Sequence, residues 1–100
     1  GISSLQAETK MSSDNTVFLD VRSPEECKQI RLADCKNIQY IPLGQLRSRL
    51  QEIDKTKEVV AFCKISLRGY EAECILEGEG FDNVKVLEGG IMSWPFRCEK

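Results

Sequence analysis

Glu58-Val59-Val60-Ala61-Phe62-Cys63-Lys64-Ile65-Ser66-Leu67-Arg68 is the stretch from which the fold can be read. Val59 to Phe62 is apolar at every position, which a strand tolerates where both of its faces are covered, as in the middle of a parallel sheet. Beyond it, Leu67, Tyr70, Cys74 and Ile75 recur at helical spacing until Gly78 and Gly80 supply a stop. Cys63 is therefore expected to end a buried strand and Arg68 to open a helix. Ligands of parallel α/β sheets gather beyond the carboxyl ends of the strands, and the first N–H groups of a helix have no partner within it. The loop from Cys63 to Arg68 is thus an expected anion cradle.

Outward from this stretch, short β-type runs stand at Val17–Val21, Ile38–Ile41 and Val84–Leu87, with helical patterns between most of them. The alternation predicts a single α/β domain over residues 1–100, with a mostly parallel central sheet flanked by helices. Ser23-Pro24-Glu25-Glu26 has a capping hydroxyl, a proline at the first helical position and a glutamate three residues after the serine, so a helix carrying Cys27 and Ile30 should follow. Leu43, Leu46, Leu50 and Ile53 lie three and four apart, which predicts a surface helix with one buried stripe. Residues 1–16 read as a short opening strand and helix followed by a polar turn, and residues 95–100 as a frayed tail.

Charge and composition narrow the function. Lys and Arg total 14 against 16 Asp and Glu, with no basic run to track a phosphate backbone, so nucleic acid is not an expected partner. No apolar stretch approaches the roughly 20 residues that span a bilayer, and residues 1–16 lack the layout of a signal peptide, which predicts a soluble, cytoplasmic protein with no membrane partner. Five cysteines at 27, 35, 63, 74 and 98 contain no Cys-x-x-Cys pair, so neither a secreted disulfide framework nor a metal site is expected. The chain has no histidine, which removes every Cys-His and Ser-His mechanism.

A nucleophilic cysteine here must be activated by backbone dipoles and cations. At Cys63, converging N–H groups, the positive end of a helix and the side chains of Lys64 and Arg68 all favour the thiolate. Such a thiolate can attack the outer sulfur of thiosulfate or of a persulfide, and the Cys63 persulfide so formed is an anion suited to the same cradle.

Four blocks in order, Leu19-Asp20-Val21-Arg22-Ser23-Pro24-Glu25-Glu26, Ile41-Pro42-Leu43, the Cys63 loop and Leu87-Glu88-Gly89-Gly90-Ile91-Met92-Ser93-Trp94, resemble rhodanese-type sulfurtransferase domains. Leu67-Arg68-Gly69-Tyr70 and Gly80-Phe81-Asp82-Asn83-Val84-Lys85 are similar, more narrowly, to the C-terminal rhodanese domain of coenzyme A disulfide reductase-like pyridine nucleotide-disulfide oxidoreductases. The resemblance implies a small rhodanese-like fold and a persulfide-forming Cys63. Around it would stand a substrate-binding loop of Lys64, Ile65, Ser66, Leu67 and Arg68, with Asp20 and Arg22 in support. It implies a small sulfur-donor anion or persulfide and a thiol acceptor as partners, and an upstream flavoprotein disulfide reductase domain in a longer chain. FAD and nicotinamide sites would belong to that upstream part. No Gly-x-Gly-x-x-Gly fingerprint is present in these residues, so no cofactor is expected here. Ser66 departs from the family's usual glycine and is expected to cost on the order of 1 kcal/mol if its position demands positive φ.

Two other functions compete. A cysteine phosphatase or arsenate reductase also sets a thiolate in a loop ending in arginine, but its loop has one more residue than the four between Cys63 and Arg68. A catalytically silent rhodanese-like binding or regulatory module would keep the fold alone. Of the remaining cysteines, Cys27 and Cys74 read as core residues, Cys35 as an exposed spectator and Cys98 as an incidental thiol in the tail. Gly89-Gly90 reads as a tight turn after a strand.

Overall fold

The computed structural model describes residues 1–100. Six strands, β1 (Thr16–Asp20), β2 (Arg31–Leu32), β3 (Ile38–Tyr40), β4 (Glu58–Phe62), β5 (Val84–Val86) and β6 (Cys98–Glu99), alternate with the helices α1 (Ser4–Glu8), α2 (Pro24–Gln29) and α3 (Leu67–Gly78). Four of the strands form one sheet in the order β3-β1-β4-β5, and all its pairings are parallel. Ile2 adds a parallel bridge to Leu87, just beyond β5. The expected α/β class with a mostly parallel sheet is what the chain adopts.

Because side chains alternate across a strand, β1 and β4 feed two cores. Leu19, Val59, Ala61 and Cys63 join Leu46, Ile53, Ala72 and Leu76 on one face. Phe18, Val60 and Phe62 join Ile2, Met11, Leu32, Leu87 and Trp94 on the other. Phe62 and Phe18 are fully buried, and each such side chain contributes roughly 1.5–3 kcal/mol through removal from water. Two-sided burial explains why β4 carries no polar residue after Glu58.

Several local expectations are corrected. The segment from Leu43 is not one α-helix but two 3-10 turns, Leu43–Ser48 and Leu50–Glu52. Pro42 precedes the first without a side-chain cap, and three-residue spacings such as Leu43 to Leu46 and Leu50 to Ile53 suit the tighter winding equally well. Leu46 and Ile53 still reach the core, with Leu43 and Leu50 packed partly against it. On α3 the buried face is Gly69, Ala72 and Leu76, whereas Leu67 and Tyr70 are exposed and Ile75 is half-buried. Cys74 is likewise exposed, not a core residue. A Cβ on Gly69 would stand 3.0 Å from Val86 Cγ1 and 3.6 Å from the Ala61 carbonyl, so the helix lies too close to the sheet for bulky residues to face it.

Residues 95–100 are not a frayed tail. Leu32 pairs with Cys98 and Arg31 with Glu99 in an antiparallel ribbon of β2 and β6, and Arg31 Nε donates to Glu99 Oε1 at 3.2 Å. Cys98 is half-buried against the core. Cys35 is half-buried there too, its thiol donating to Asn37 Oδ1 at 3.3 Å, which corrects its reading as an exposed residue.

Candidate active site

Cys63 follows the last residue of β4 and is 2% exposed. Beyond it the chain turns through Lys64, Ile65 and Ser66 into α3. None of the N–H groups of Lys64, Ile65, Ser66, Leu67 and Arg68 donates to a protein acceptor. The carbonyls of the same loop are engaged from behind: Ile91 N donates to Cys63 O and Met92 N to Lys64 O, each at 3.0 Å. Peptide units whose oxygens are held at the back present their N–H groups at the front, which is the arrangement an anion requires.

The back wall is closer than a turn alone needs. Gly90, at φ +58°, lies so near the carbonyls of Cys63, Ile65 and Lys64 that a Cβ there would stand 2.7 Å from the last and nearer still to the other two. The Gly89-Gly90 pair does turn the chain, with both residues at positive φ. Gly90 also lets Ile91 and Met92 reach the loop, a role the sequence reading did not assign. Lys64 and Ile65 are exposed at the rim, together with Leu67 at 73% and Met92 at 66%. Ser66 adopts φ −159° and ψ −21°, so its position does not demand positive φ and the cost tied to that condition does not apply.

Asp20 ends β1 opposite Phe62, and Val21 N donates to Phe62 O at 3.0 Å, so Asp20 and Arg22 lie beside the loop. The two form a buried ion pair, 0% and 2% exposed. Arg22 Nε meets both carboxylate oxygens at 3.0 and 3.1 Å and its terminal NH2 donates to Oδ2 at 2.8 Å. The same terminal nitrogen also donates to Ile30 O at 2.8 Å, tying the end of α2 to the sheet. Burial opposes the arginine's charge, and the hydrogen bond and charge of Asp20 more than offset it, so its pKa is raised.

Arg68 does not stand free in the loop. Its two terminal nitrogens donate to Glu26, to Oε1 at 2.6 Å and to Oε2 at 2.9 Å. Glu26 is itself the third residue of α2, and its Oε1 accepts from the N–H and the hydroxyl of Ser23, both at 3.1 Å, while Ser23 Oγ accepts from Glu26 N. This is the capping box expected from the sequence, with Arg68 added to it. The hydrogen bond from Arg68, ahead of the other influences, holds the Glu26 carboxyl down at about 2. Arg68 is raised in turn, first by Glu26 and in smaller part by the Cys63 sulfur beside it.

Cys27, on α2, is only half-buried, and its thiol donates to Asp20 Oδ2 at 3.6 Å. Burial first, then the Asp20 charge, pushes it up to about 11; burial pushes Cys35 to about 11 as well. Both thiols are thereby held away from the thiolate form at neutral pH. Of the sequence-predicted residues the fold therefore brings Asp20, Arg22, Cys63 and Arg68 to one end of the sheet, and it adds Glu26 and Gly90. The Ser-x-x-Glu spacing could have marked Glu26 only as a helix cap; nothing in the sequence links it to Arg68.

A parallel sheet whose inner strand β4 leads straight into a buried cysteine, followed by a loop with five undonated N–H groups, defines an α/β domain with a candidate site at the carboxyl end of its sheet. The chain belongs to the rhodanese family, the rhodanese-like domain matching residues 3–95. A sulfurtransferase of Allochromatium vinosum is 30% identical over 82 residues, 82% of this chain and 74% of that protein. Among solved structures, a NAD-dependent persulfide reductase from A. fulgidus is 42% identical with a TM-score of 0.74, over 96% of this chain and 16% of that one. The reduced CoADR-RHD of Bacillus anthracis is 31% identical with a TM-score of 0.79, over 89% of this chain and 15% of that one. The likeness to rhodanese domains of coenzyme A disulfide reductase-like proteins thus holds in three dimensions. The chain spans about a sixth of those two reductase structures. Family and relatives together support sulfur transfer as the general activity. No helix is long and apolar enough to cross a membrane.

Proposed function

We propose that Cys63 carries a sulfane sulfur from thiosulfate or a low-molecular-weight persulfide to a thiol acceptor. The Cys63 thiolate attacks the outer sulfur of the donor. With thiosulfate the donor S–S bond breaks and sulfite leaves with its electron pair; with a persulfide RSSH the thiolate RS⁻ leaves. Either way Cys63 becomes a persulfide. An acceptor thiolate then attacks the outer sulfur, takes it away and restores the Cys63 thiolate, so no net oxidant or reductant is needed.

The observation that carries this reading is the set of five N–H groups, from Lys64 to Arg68, with no protein acceptor at the end of β4. Preorganised donors of this kind stabilise charge without reorganising during reaction. Arg68 stands with the sulfur, while Asp20 and Arg22 hold the neighbouring strand end and are positioning residues in this scheme. A reductase domain upstream, as in the larger relatives, would supply a consumer for the carried sulfur.

Intact mass after mixing with thiosulfate, or with an alkyl persulfide, tests the scheme. The wild type should gain one sulfur atom and Cys63→Ser none; a wild type unmodified by every donor overturns it. Hydrolysis of an aryl phosphate dependent on Cys63 would favour the phosphatase alternative instead, and two blank assays would favour a silent binding module.

A further inference from the structure

Arg68 is the loop's own arginine, yet its charge is already met. Both terminal nitrogens of the guanidinium are spent on the two oxygens of Glu26, and that carboxylate is fixed in turn by Ser23. Ser23 and Arg68 together hold the Glu26 carboxylate, which makes its position hard to vacate when a donor arrives. A guanidinium has five N–H donors, so Arg68 still has three with which to meet the Cys63 sulfur or its persulfide. What it lacks is net charge. Arg68 and Glu26 are mostly buried, with side-chain exposures of 34% and 27%, so solvent screens the cancellation only in part.

A site that offers hydrogen bonds but little net positive charge separates donors by charge. Thiosulfate brings two negative charges to the loop. A persulfide with an uncharged body brings at most one. We propose that Glu26 is a specificity-determining residue which, by neutralising Arg68, turns the Cys63 loop away from dianionic donors such as thiosulfate and towards persulfides. The proposal rests on the sulfur-transfer reading above and names the class of donor for the same site. The rim supports it: Ile65, Leu67 and Met92 present exposed apolar side chains around the cradle, a surface with no use for a small hydrated dianion and a natural one for an organic body. Lys64 is the exposed cation left at that rim, and it can accompany a single negative charge.

The test compares Glu26→Gln with wild type, since glutamine at this position keeps a capping box and the helix start. Loading of Cys63 is followed by quenched intact mass with thiosulfate and with 2-hydroxyethyl persulfide, over a range of donor concentrations. Glu26→Gln should raise the ratio of thiosulfate to persulfide loading constants by roughly two- to fivefold, the range for a partly screened charge. The change should lie in half-saturation by thiosulfate and should shrink as salt is added. Glu26→Asp, which keeps the charge but withdraws it from Arg68, should leave the ratio nearer wild type than glutamine does. An unchanged ratio in Glu26→Gln, or an aspartate variant indistinguishable from the glutamine one, overturns the assignment while leaving sulfur transfer standing. A wild type that takes sulfur from neither donor overturns both.

Discussion

Alanine at position 90 would press on the Cys63 loop from behind. The new Cβ would meet the carbonyls of Cys63, Lys64 and Ile65 at distances that real side chains never show, 2.7 Å for Lys64 and less for the others, and all three acceptors are backbone. No side chain can swing away to relieve the contact. Holding alanine at φ +58° costs about 1–2 kcal/mol, and displacing a packed wall typically costs a further ~1–3 kcal/mol. The hydrogen bonds from Ile91 N and Met92 N to the loop lengthen as the wall retreats. A total of about 2–5 kcal/mol would lower the melting temperature of a domain this size by roughly 10 °C or more. Thermal and urea unfolding measure the stability, and rates of sulfur gain on Cys63 report whether the N–H groups still converge. Gly44→Ala is the control, because its Cβ meets nothing within 4 Å; it should be neutral or gain up to about 1 kcal/mol. A Gly90→Ala protein that unfolds within about 0.5 kcal/mol of wild type, or that loads sulfur at the wild-type rate, would refute the picture of a loop shaped from its back.

Asp20→Asn leaves Arg22 charged in a site 2% exposed, so urea unfolding should show a loss of about 3–5 kcal/mol; a loss below about 1 kcal/mol would mean that the guanidinium finds water or another acceptor. The Glu26–Arg68 pair has a pH signature. Glu26 titrates at about 2 in the folded chain against 4.5 for the free side chain, so the unfolded chain binds the extra proton first as acid is added. The pair's stabilisation is whole above about 4.5 and is lost as the pH falls towards about 2. Denaturant unfolding of Glu26→Gln should therefore be less sensitive to acid across that window than wild type, and parallel profiles would count against the pairing.

The frame of the molecule was legible because its signals are local. The apolar run Val59–Phe62 is a central strand, and Ser23-Pro24-Glu25-Glu26 starts a helix where its hydroxyl, proline and carboxylate say it should. Misreadings arose where a local pattern had two physical solutions. Leucines spaced by three fit a 3-10 turn as well as an α-helix at 43–53, and on α3 helical spacing marks the helix but not its buried face, so Cys74 reads as core although close approach to the sheet reserves that face for Gly69 and Ala72. The two-residue ladder of β2 and β6 is too short to leave any periodicity. At the site, Cys63 and Arg68 were visible as neighbours in one loop, whereas Glu26 is brought to Arg68 across 42 positions by the folded sheet. Gly90 is the same case: two glycines announce a turn, and only the assembled chain shows what the second leaves room for.

The order of strands in the sheet also governs how the chain comes together. β1 sits inside the sheet, between β3 and β4, so one of its edges is covered by the segment that follows it closely and the other only by residues 58–62. A nascent chain ending near Ile53 would have made β1 and β3 but would still hold one edge of β1 bare, with Val17, Phe18 and Leu19 lacking their β4 neighbours. Every bond in this sheet waits for a crossover, and such non-local pairing is slow to form. Cys63 lies just past the strand that ends the wait: as residues 58–62 slot beside β1, Cys63 is carried to the end of the sheet and its loop can be set against Gly90 once β5 has joined. The placement of Cys63 is thus tied to the strand that covers the bare edge of β1.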